Sequence, residues 1–383
     1  MLIDMDSNVV CSRCISDTSI PGIEFDENGV CNFCRIHDEL VKQFPLDESG
    51  QQMMDQLVAT IKKSGRKKKY DCVVGVSGGR DSTYTLYLAK NLGLRPLAVH
   101  FDNGWNSEIA VSNIKKATKV LDVDLYTVAA DWEQFKDLQQ SFLKASVSDA
   151  EIPTDYVIIS VLFQTADKMG IKYILNGHSF RTEGVVPLSW TYMDDRYIRS
   201  VHKLYGTAKL TSFPIMSLFK LVYYVLIKGI KYVPLLQYVN YRQKEAGDII
   251  RKAVGWQYYG GHHYESIYTR FFQSYLLPYK FNIDKRILEY SALIRSDQMT
   301  RSAALEEIES TCSRYDQKLV NYTVSKLGLT DEEFRDICTA PLKTFRDFPT
   351  YYDIIKIFRM PIKLACRYNL LPHIFYEKYL GSK

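Results

Sequence analysis

A chain of 383 residues is long enough for two or three domains, each with a hydrophobic core of its own. Hydrophobic residues make up 46% of it and charged residues 24%, the composition of an ordinary globular protein rather than of a disordered chain. The formal net charge of +5 is small, so it fits an anionic small-molecule substrate at least as well as nucleic acid.

The first residues, Met1 to Asp6, are acidic and lack the basic start and apolar core of a secretory signal. We therefore expect a cytoplasmic protein, in which thiols stay reduced. The eight cysteines are then expected to be metal ligands or buried thiols rather than disulfides.

Two C-x2-C pairs near the start of the chain have the spacing of a zinc ribbon. The pairs are Cys11 with Cys14 and Cys31 with Cys34, and the segment between them has the pattern of a short strand and a turn. Four thiolates would complete a closed tetrahedral site, so we predict a structural Zn²⁺ in a module over residues 1–45. An iron–sulfur cluster is the alternative.

The next strong signal is a short apolar strand from Tyr70 to Val76 that runs into a Ser/Gly-rich loop and then a helix. Glycines let the backbone approach an anion, and a helix N-terminus favours negative charge. The loop lacks the Gly-Lys-Ser/Thr ending of a Walker loop and the spacing of a dinucleotide fingerprint. It resembles instead the PP-loop of ATP pyrophosphatases. The residues predicted to bind ATP and pyrophosphate here are Ser77, Gly78, Gly79, Arg80, Asp81 and Ser82.

Strands and helices alternate over residues 70–180, which indicates a doubly wound parallel α/β sheet of PP-loop type. Polar clusters follow three of the strands, at 77–82, 100–104 and 176–183. Ligands of such sheets bind beyond the carboxyl ends of the strands, so we expect these clusters to meet in one crevice. His100, Asp102, Asn103 and Gly177 would lie beside the nucleotide.

The domain boundaries follow from these patterns. The ATP-binding domain is predicted over 46–205, an apolar helical insertion over 206–245, and a mainly helical region that completes the substrate site over 246–383. Three lysines and a proline interrupt the apolar segment at 213–241, which disfavours a membrane-spanning helix. Packing on a partner or on a second subunit of a homodimer is the first expectation, and peripheral membrane contact is the alternative.

Polar and aromatic residues after the fourth predicted strand and in the helical region are the candidates for substrate binding. They lie in or beside glycine-bearing turns or mixed-charge segments, where surface loops and helix caps are the alternative reading. These residues are Arg181, Trp190, Asp194, Tyr258, Gly260, Gly261, Arg295 and Arg301.

A PP-loop implies adenylation, in which a substrate oxygen attacks the α-phosphorus of ATP and pyrophosphate leaves. Asp81 is then the candidate Mg²⁺ ligand. His178 and Glu183 are the candidate catalytic residues, for substrate contact or for proton transfer at the attacking amine. Residue 2 is Leu, where relatives with their own glutaminase begin with Cys, so we expect ammonia from a separate glutaminase.

Several motifs together are more specific than the loop alone. The N-terminal cysteine pattern with Pro21-Gly22-Ile23, the loop 77–82, the segment 176–184 and the stretch 256–266 resemble the N-acetyl sugar amidotransferase family over nearly the whole chain. That family acts in lipopolysaccharide O-antigen and flagellin-glycan biosynthesis. The resemblance implies conversion of an acetamido group on a nucleotide sugar into an acetamidino group. It also implies glutaminase and synthase partners similar to those of histidine biosynthesis.

Two other functions remain open at this point. A tRNA thiolation enzyme would use the same loop but needs a sulfur-carrying cysteine or a cluster near the crevice, and a basic surface. A non-catalytic nucleotide-binding scaffold is the second alternative, which the intact serines and Asp81 of the loop disfavour.

Overall fold

A computed structural model describes residues 9–261, 263–310 and 316–367 of the chain. Residues 1–8 and 368–383 of the predicted terminal domains lie outside this part. The strands are β1 (Cys72–Gly75), β2 (Pro96–Asp102), β3 (Leu125–Ala129), β4 (Tyr173–Asn176) and β5 (Lys231–Pro234).

The helices of the first half alternate with these strands. They are α1 (Asn32–Gln43), α2 (Glu48–Gly65), α3 (Arg80–Asn91), α4 (Glu108–Val120), α5 (Trp132–Lys144), α6 (Ile152–Lys168), α7 (Asp195–Tyr205) and α8 (Leu218–Val222), which continues as a π-helical turn, Tyr223–Ile227. Those of the second half are α9 (Gln243–Val254), α10 (Ile267–Phe271), α11 (Leu277–Phe281), α12 (Arg286–Arg295), α13 (Arg301–Ser310), α14 (Gln317–Leu327), α15 (Asp331–Thr339), α16 (Tyr352–Ile357) and α17 (Arg359–Arg367).

The five strands form one parallel sheet in the order β3-β2-β1-β4-β5. Successive residues of β1 point to opposite faces: Cys72 and Val74 pack with α2, α3 and α4, whereas Val73 packs with α5 and α6. Helices therefore cover both faces, which confirms the predicted doubly wound α/β fold. The chain leaves β1 toward β2 on one side and reaches β4 on the other, so the strand order reverses between β1 and β4.

The fifth strand was not predicted. It lies within residues 206–245, which were predicted as a helical insertion; Leu218 to Ile227 are helical, but Lys231–Pro234 pair with β4, with Val233 opposite Leu175. A strand this short, ending in Pro, is confined to the edge of a sheet and has little periodicity to reveal it. The rings of Tyr224 and Tyr232 stack on Phe163 of α6 and fix the segment to the sheet.

The N-terminal module and the helical region pack against each other. The cysteine-bearing segment forms two isolated antiparallel bridges, Val10 with Asp17 and Phe25 with Cys31, before α1 begins. The Ser16 hydroxyl donates to the Ser291 hydroxyl of α12 at 3.0 Å. From α9 onward the described chain is helical apart from turns and short bridges, as predicted. Within the described residues, no helix combines the length and apolarity needed to cross a membrane.

Candidate ATP site and metal centre

The loop after β1 is held in a compact turn by its own serines. The Ser82 hydroxyl accepts from the Ser77 backbone N–H at 3.2 Å and donates to the Gly79 carbonyl at 3.2 Å. The Ser77 hydroxyl accepts from the Gly79 N–H at 3.2 Å. Helix α3 starts directly behind this turn, with Gly79 at its N-cap and no side-chain cap. The N–H groups of its first turn are thus presented where an anion is expected.

Two glycines allow the backbones around this loop to touch. Gly78 has a φ of +79°, and a methyl group there would lie 2.2 Å from the Ala110 carbonyl oxygen of α4. At Gly177, in the loop after β4, a methyl group would lie 2.9 Å from the Asp81 carbonyl. The loops after β1 and β4 are therefore in direct contact at the point where the strand order reverses, which brings two of the three predicted polar clusters together.

A second layer of side chains clamps the loop from outside. The Trp256 indole N–H and the Asn113 amide both donate to the Gly78 carbonyl, at 3.0 and 3.1 Å. Asn113 also pairs with the backbone of Gln257 in both directions, and the Tyr259 hydroxyl accepts from the Arg80 N–H. Sequence reasoning missed Asn113, because an Asn within an amphipathic helix looks like any surface residue.

Asp81 sits under the loop rather than in open solvent. Its carboxylate accepts from the Tyr241 hydroxyl and, at 3.1 Å, from Arg80 Nε. Both bonds end on Oδ1 and fix the orientation of the carboxylate. Tyr241 was not predicted; it follows the unpredicted strand, so nothing in the sequence placed it beside the loop.

A second carboxylate reaches the loop from the helical region. Glu265 Oε1 accepts from the Ser77 hydroxyl at 3.4 Å, and a methyl group on Gly79 would lie 2.8 Å from it. His263 Nδ1 is 3.8 Å from the same oxygen. Although burial opposes it, the hydrogen bond and charge of Glu265 raise the pKa of His263 to about 10. This Glu–His pair was missed, although it lies inside the stretch 256–266 that the sequence singled out.

The residues at the end of β2 and just after it form hydrogen bonds beside the loop that follows β1. His100 Nε2 accepts from the Asn106 amide at 3.2 Å, so Nδ1 carries the proton and donates to the Val76 carbonyl at 2.9 Å. Burial lowers the pKa of His100 and keeps it neutral. Asp102 accepts from the Gly104 N–H and Asn103 from the Trp105 N–H. These bonds fix the turn after β2, and the buried His100 ties it to the residue that follows β1.

The loop after β4 presents the predicted catalytic pair. His178 Nδ1 donates to Glu183 Oε2 at 2.6 Å, and the His178 side chain is 67% exposed while that of Glu183 is 20% exposed. The charge of Glu183 raises the pKa of His178. The Asn176 side chain accepts from the His178 N–H at 2.9 Å and fixes the turn. His178 is therefore accessible to solvent, and the two side chains form an ion pair when His178 is protonated.

Three predicted substrate residues have structural roles instead. The Arg181 guanidinium is 4% exposed and donates to the Phe44 and Gln237 carbonyls. Asp194 caps α7 by accepting from the Tyr197 N–H, and Trp190 lies in the core. The mixture of charged residues after the strand suggested a polar substrate pocket, but Arg181 and Asp194 form hydrogen bonds with backbone groups instead. Tyr258, by contrast, is more than half exposed. Tyr258, Gly260 and Gly261 remain predicted substrate residues.

The four predicted cysteines form one cluster that could hold a metal ion. All four side chains are fully buried, and their ligand atoms lie within 4.8 Å of one another. Three sulfur–sulfur separations are 3.6, 3.8 and 3.9 Å. Four sulfurs about 2.3 Å from a single tetrahedral ion lie about 3.8 Å apart. A four-iron cluster places an iron–sulfur cube between its thiolates and needs wider spacing, so the donor set fits one ion.

Arg295 and Arg301, predicted to bind substrate, contact this cluster. Arg295 is 6% exposed and donates from Nε to Cys34 Sγ at 3.4 Å and from Nη2 to Cys14 Sγ at 3.6 Å. Arg301 donates to the carbonyls of Cys14 and Cys11. Four thiolates around a divalent ion leave two excess negative charges, and a buried guanidinium offsets part of this charge. The contacts of Arg295 and Arg301 with the cysteine segment were not predicted, because these arginines are far from the cysteines in sequence.

The cluster is linked to the catalytic loop through α12. The residue after Arg295 is Ser296, whose hydroxyl donates to the Arg181 carbonyl at 2.7 Å. Gly184 packs against Ala292 and the Arg295 guanidinium, within 3.6 Å of a methyl group placed there. The loop that carries His178 and Glu183 therefore packs against α12, the helix whose Arg295 donates to the cysteine cluster.

The His178–Glu183 pair predicts a pH dependence. Because Glu183 raises the folded-state pKa of His178, the pair stabilises the fold below about pH 6.5, and its contribution is lost as pH rises through the folded-state pKa. In Glu183→Gln we expect the pKa of His178 to fall, measured by NMR titration of the histidine rings. His100 is the internal control, with a pKa below about 6.5 in both proteins. A wild-type His178 that titrates below His100 would contradict this.

Arg295 is predicted to stabilise the metal-bound thiolates. We expect Arg295→Leu to weaken metal retention by roughly 10- to 100-fold, because two N–H···S bonds and a buried positive charge are lost. Retention is measured as metal content after timed exposure to a chelator. Arg251→Leu is the matched control, since Arg251 pairs with Asp248 at the surface of α9. Equal retention in Arg295→Leu and the control would refute the role.

Comparison with known families finds two matches along the chain. Residues 71–217 match the family of queuosine biosynthesis protein QueC, a PP-loop ATP pyrophosphatase. Residues 265–361 match the C-terminal domain of the LPS biosynthesis protein WbpG-like family. The first match covers the sheet from β1 to β4 with the loop 77–82, and the second begins at Glu265.

Individual relatives are more distant. The uncharacterized protein MJ1599 of Methanocaldococcus jannaschii is 28% identical over 170 residues, which cover 44% of this chain and 58% of that protein. The chain thus matches little more than half the length of this relative. Solved structures include NMN synthetase from Francisella tularensis, 13% identical with a TM-score of 0.33 over 75% of this chain and 97% of that one.

A third comparison is U34-tRNA thiolase NcsA from Methanococcus maripaludis with its [4Fe-4S] cluster, 14% identical, with a TM-score of 0.31 over 88% of this chain and 91% of that one. Both TM-scores are too low for these structures to bear on function here. The family matches lie one after the other along the chain. The chain therefore carries a segment similar to the QueC family of PP-loop ATP pyrophosphatases, followed by a segment similar to the WbpG-like C-terminal domain, and both agree with the predicted resemblance to the N-acetyl sugar amidotransferase family.

Proposed function

We propose that the protein is an AMP-forming amidotransferase that adenylates an acetamido group of a nucleotide sugar and replaces AMP with ammonia. The product is an acetamidino sugar for surface polysaccharide, as in lipopolysaccharide O-antigen, or for flagellin glycan. The proposal draws on the PP-loop type of the ATP domain and the WbpG-like type of the C-terminal domain.

The single observation that carries the ATP part is the loop at the end of β1. Its turn is closed by Ser77 and Ser82, backed by an uncapped helix N-terminus, and pressed against the loop after β4 through Gly177. Backbone donors fixed in advance stabilise the charge that develops on departing pyrophosphate without further reorganisation. The absence of a Walker lysine fits cleavage between the α- and β-phosphates, as in the PP-loop family.

The remaining groups have roles that follow from their positions. Asp81, fixed by Tyr241 and Arg80, would hold Mg²⁺, which neutralises the phosphates when bound. His178, exposed to the crevice and paired with Glu183, accepts a proton from the attacking ammonia once His178 is neutral. The acetamido oxygen attacks phosphorus, pyrophosphate leaves, ammonia adds to the carbon, and AMP departs with the oxygen.

We also propose that the buried cysteine centre holds a structural Zn²⁺. The cysteines leave no open coordination position, and the sulfur separations match a zinc tetrahedron. The ammonia would come from separate glutaminase and synthase-like subunits. No nucleic-acid partner is proposed.

Thiolation of tRNA gains no support from the crevice. Apart from the four clustered cysteines, the cysteines whose side chains the structure describes are Cys72 and Cys338. Cys72 is fully buried within β1, and burial raises the pKa of its thiol, which disfavours the nucleophilic thiolate. Cys338 lies in α15, remote in sequence from every loop of the crevice.

The proposal predicts a defined set of products. The purified chain, given ATP, ammonium and a panel of UDP-diacetamido sugars, should release AMP and pyrophosphate. One sugar should become lighter by the mass difference between O and NH, as scored by mass spectrometry. In Asp81→Asn we expect AMP formation to fall by about a hundredfold or more, measured on protein that circular dichroism shows to be folded. Release of ADP, or an Asp81→Asn variant as fast as wild type, would refute the mechanism.

A further inference from the structure

Helix α8 and its π-helical continuation have two apolar faces. One face is buried: Tyr224 stacks on Phe163, and Leu221 and Val225 pack against the core. The opposite face is apolar as well, although a surface helix is normally polar on that side. Its side chains are 42% to 78% exposed and follow helical spacing; they are Phe219, Val222, Tyr223, Leu226 and Ile227. We call this the α8 stripe.

A second stripe lies on α16 and α17. Its exposed apolar side chains again recur at helical spacing and are 42% to 78% exposed; they are Ile354, Ile357, Phe358 and Leu364, with Met360 beside them. We call this the α16–α17 stripe. Two helical segments that are far apart in sequence, α8 and α16–α17, thus expose large apolar side chains to water. Exposed apolar patches of this kind mark an interaction surface.

The two helices start from the same point of the fold. Adjacent residues at the N-terminus of α7 hold both: Asp195 accepts from the Leu218 N–H at 2.9 Å, and Asp194 accepts from the Tyr351 N–H at 2.7 Å. Arg196 bridges further by donating to the Thr350 carbonyl. The start of α8 and the start of α16 therefore lie within one turn of α7.

The surroundings of these stripes are basic. No Asp or Glu occurs between Asp195 and Glu245, while Lys or Arg recurs throughout this segment. Lys220 and Lys231 flank the α8 stripe and are exposed; Lys228 pairs with Asp167 at 3.0 Å. The second stripe carries Lys356, Arg359 and Lys363 and a single acidic residue, Asp353, which pairs with Lys356 at 3.9 Å. The electrostatic complement of such a surface is anionic.

The residue types favour a membrane over a protein. Protein interfaces are depleted in Lys, whereas helices that lie in the membrane interface combine Lys with Leu, Phe and aromatic residues. Lysines beside inserted apolar side chains recognise anionic headgroups. We propose that the α8 and α16–α17 stripes dock the protein on the surface of an anionic lipid bilayer. Neither helix spans it, and the docking is independent of the proposed amidotransfer.

The test uses the full chain in vesicle flotation without nucleotide. We expect it to float with vesicles of phosphatidylcholine mixed with phosphatidylglycerol and to remain unbound with phosphatidylcholine alone. Binding should weaken as salt rises, because screening shortens electrostatic reach. The variant carrying Lys220→Gln and Lys231→Gln should bind the mixed vesicles about fivefold more weakly per lysine removed.

Apolar variants separate insertion from simple charge attraction. Leu226→Gln with Ile227→Gln, and separately Ile357→Gln with Met360→Gln, should each lower vesicle affinity by about tenfold or more. These side chains are at least 66% exposed, so the unfolding midpoint should not change. Val120→Gln, at a residue 58% exposed on α4, is the matched control and should bind like wild type.

Three results would overturn the proposal. The first is that the wild-type chain does not bind the mixed vesicles, and the second is that both apolar double variants bind them as tightly as wild type. The third is that light scattering shows a dimer that does not bind vesicles and that the Leu226/Ile227 variant converts to a monomer. The last result would assign the α8 stripe to a second copy of this chain.

Discussion

The contact between the loops after β1 and β4 is the constraint on which the site depends. Two parallel strands at the reversal point of the sheet bring their carboxyl ends together, and only glycine permits the backbones to meet there. Gly177 touches the Asp81 carbonyl, and Gly78 touches the Ala110 carbonyl. This contact sets the loop 77–82 beside the loop that carries the His178–Glu183 pair, and so brings together the groups proposed for adenylation and for amine attack.

The second element of the account is the support behind that crevice. Arg295 of α12 donates to the cysteine cluster, and Ser296 of the same helix donates to the backbone of Arg181. On the other side, Trp256 and Asn113 donate to the Gly78 carbonyl. The cysteine cluster, far from the loop in sequence, is thus connected through α12 to the segment that carries His178.

The sequence predicted correctly those features that depend on residues close together in the chain. The loop 77–82, the four cysteines and the alternation from β1 to β4 were readable because each depends on neighbours in sequence. β5 was missed because a short edge strand has almost no periodicity of its own. Arg181 and Arg295 were misassigned because a buried arginine bonded to carbonyls or thiolates looks, in sequence, like one that binds an anionic substrate. Asn113, Tyr241 and Glu265 were missed because only tertiary packing brings them to the loop.

The most direct test of the central claim is pyrophosphate–ATP exchange in the absence of ammonium. If the crevice adenylates an acetamido sugar, labelled pyrophosphate should enter ATP only when the correct nucleotide sugar is present, and the exchange should be lost in Asp81→Asn. Exchange that needs no sugar, or turnover that yields ADP and phosphate with no exchange under any condition, would contradict it.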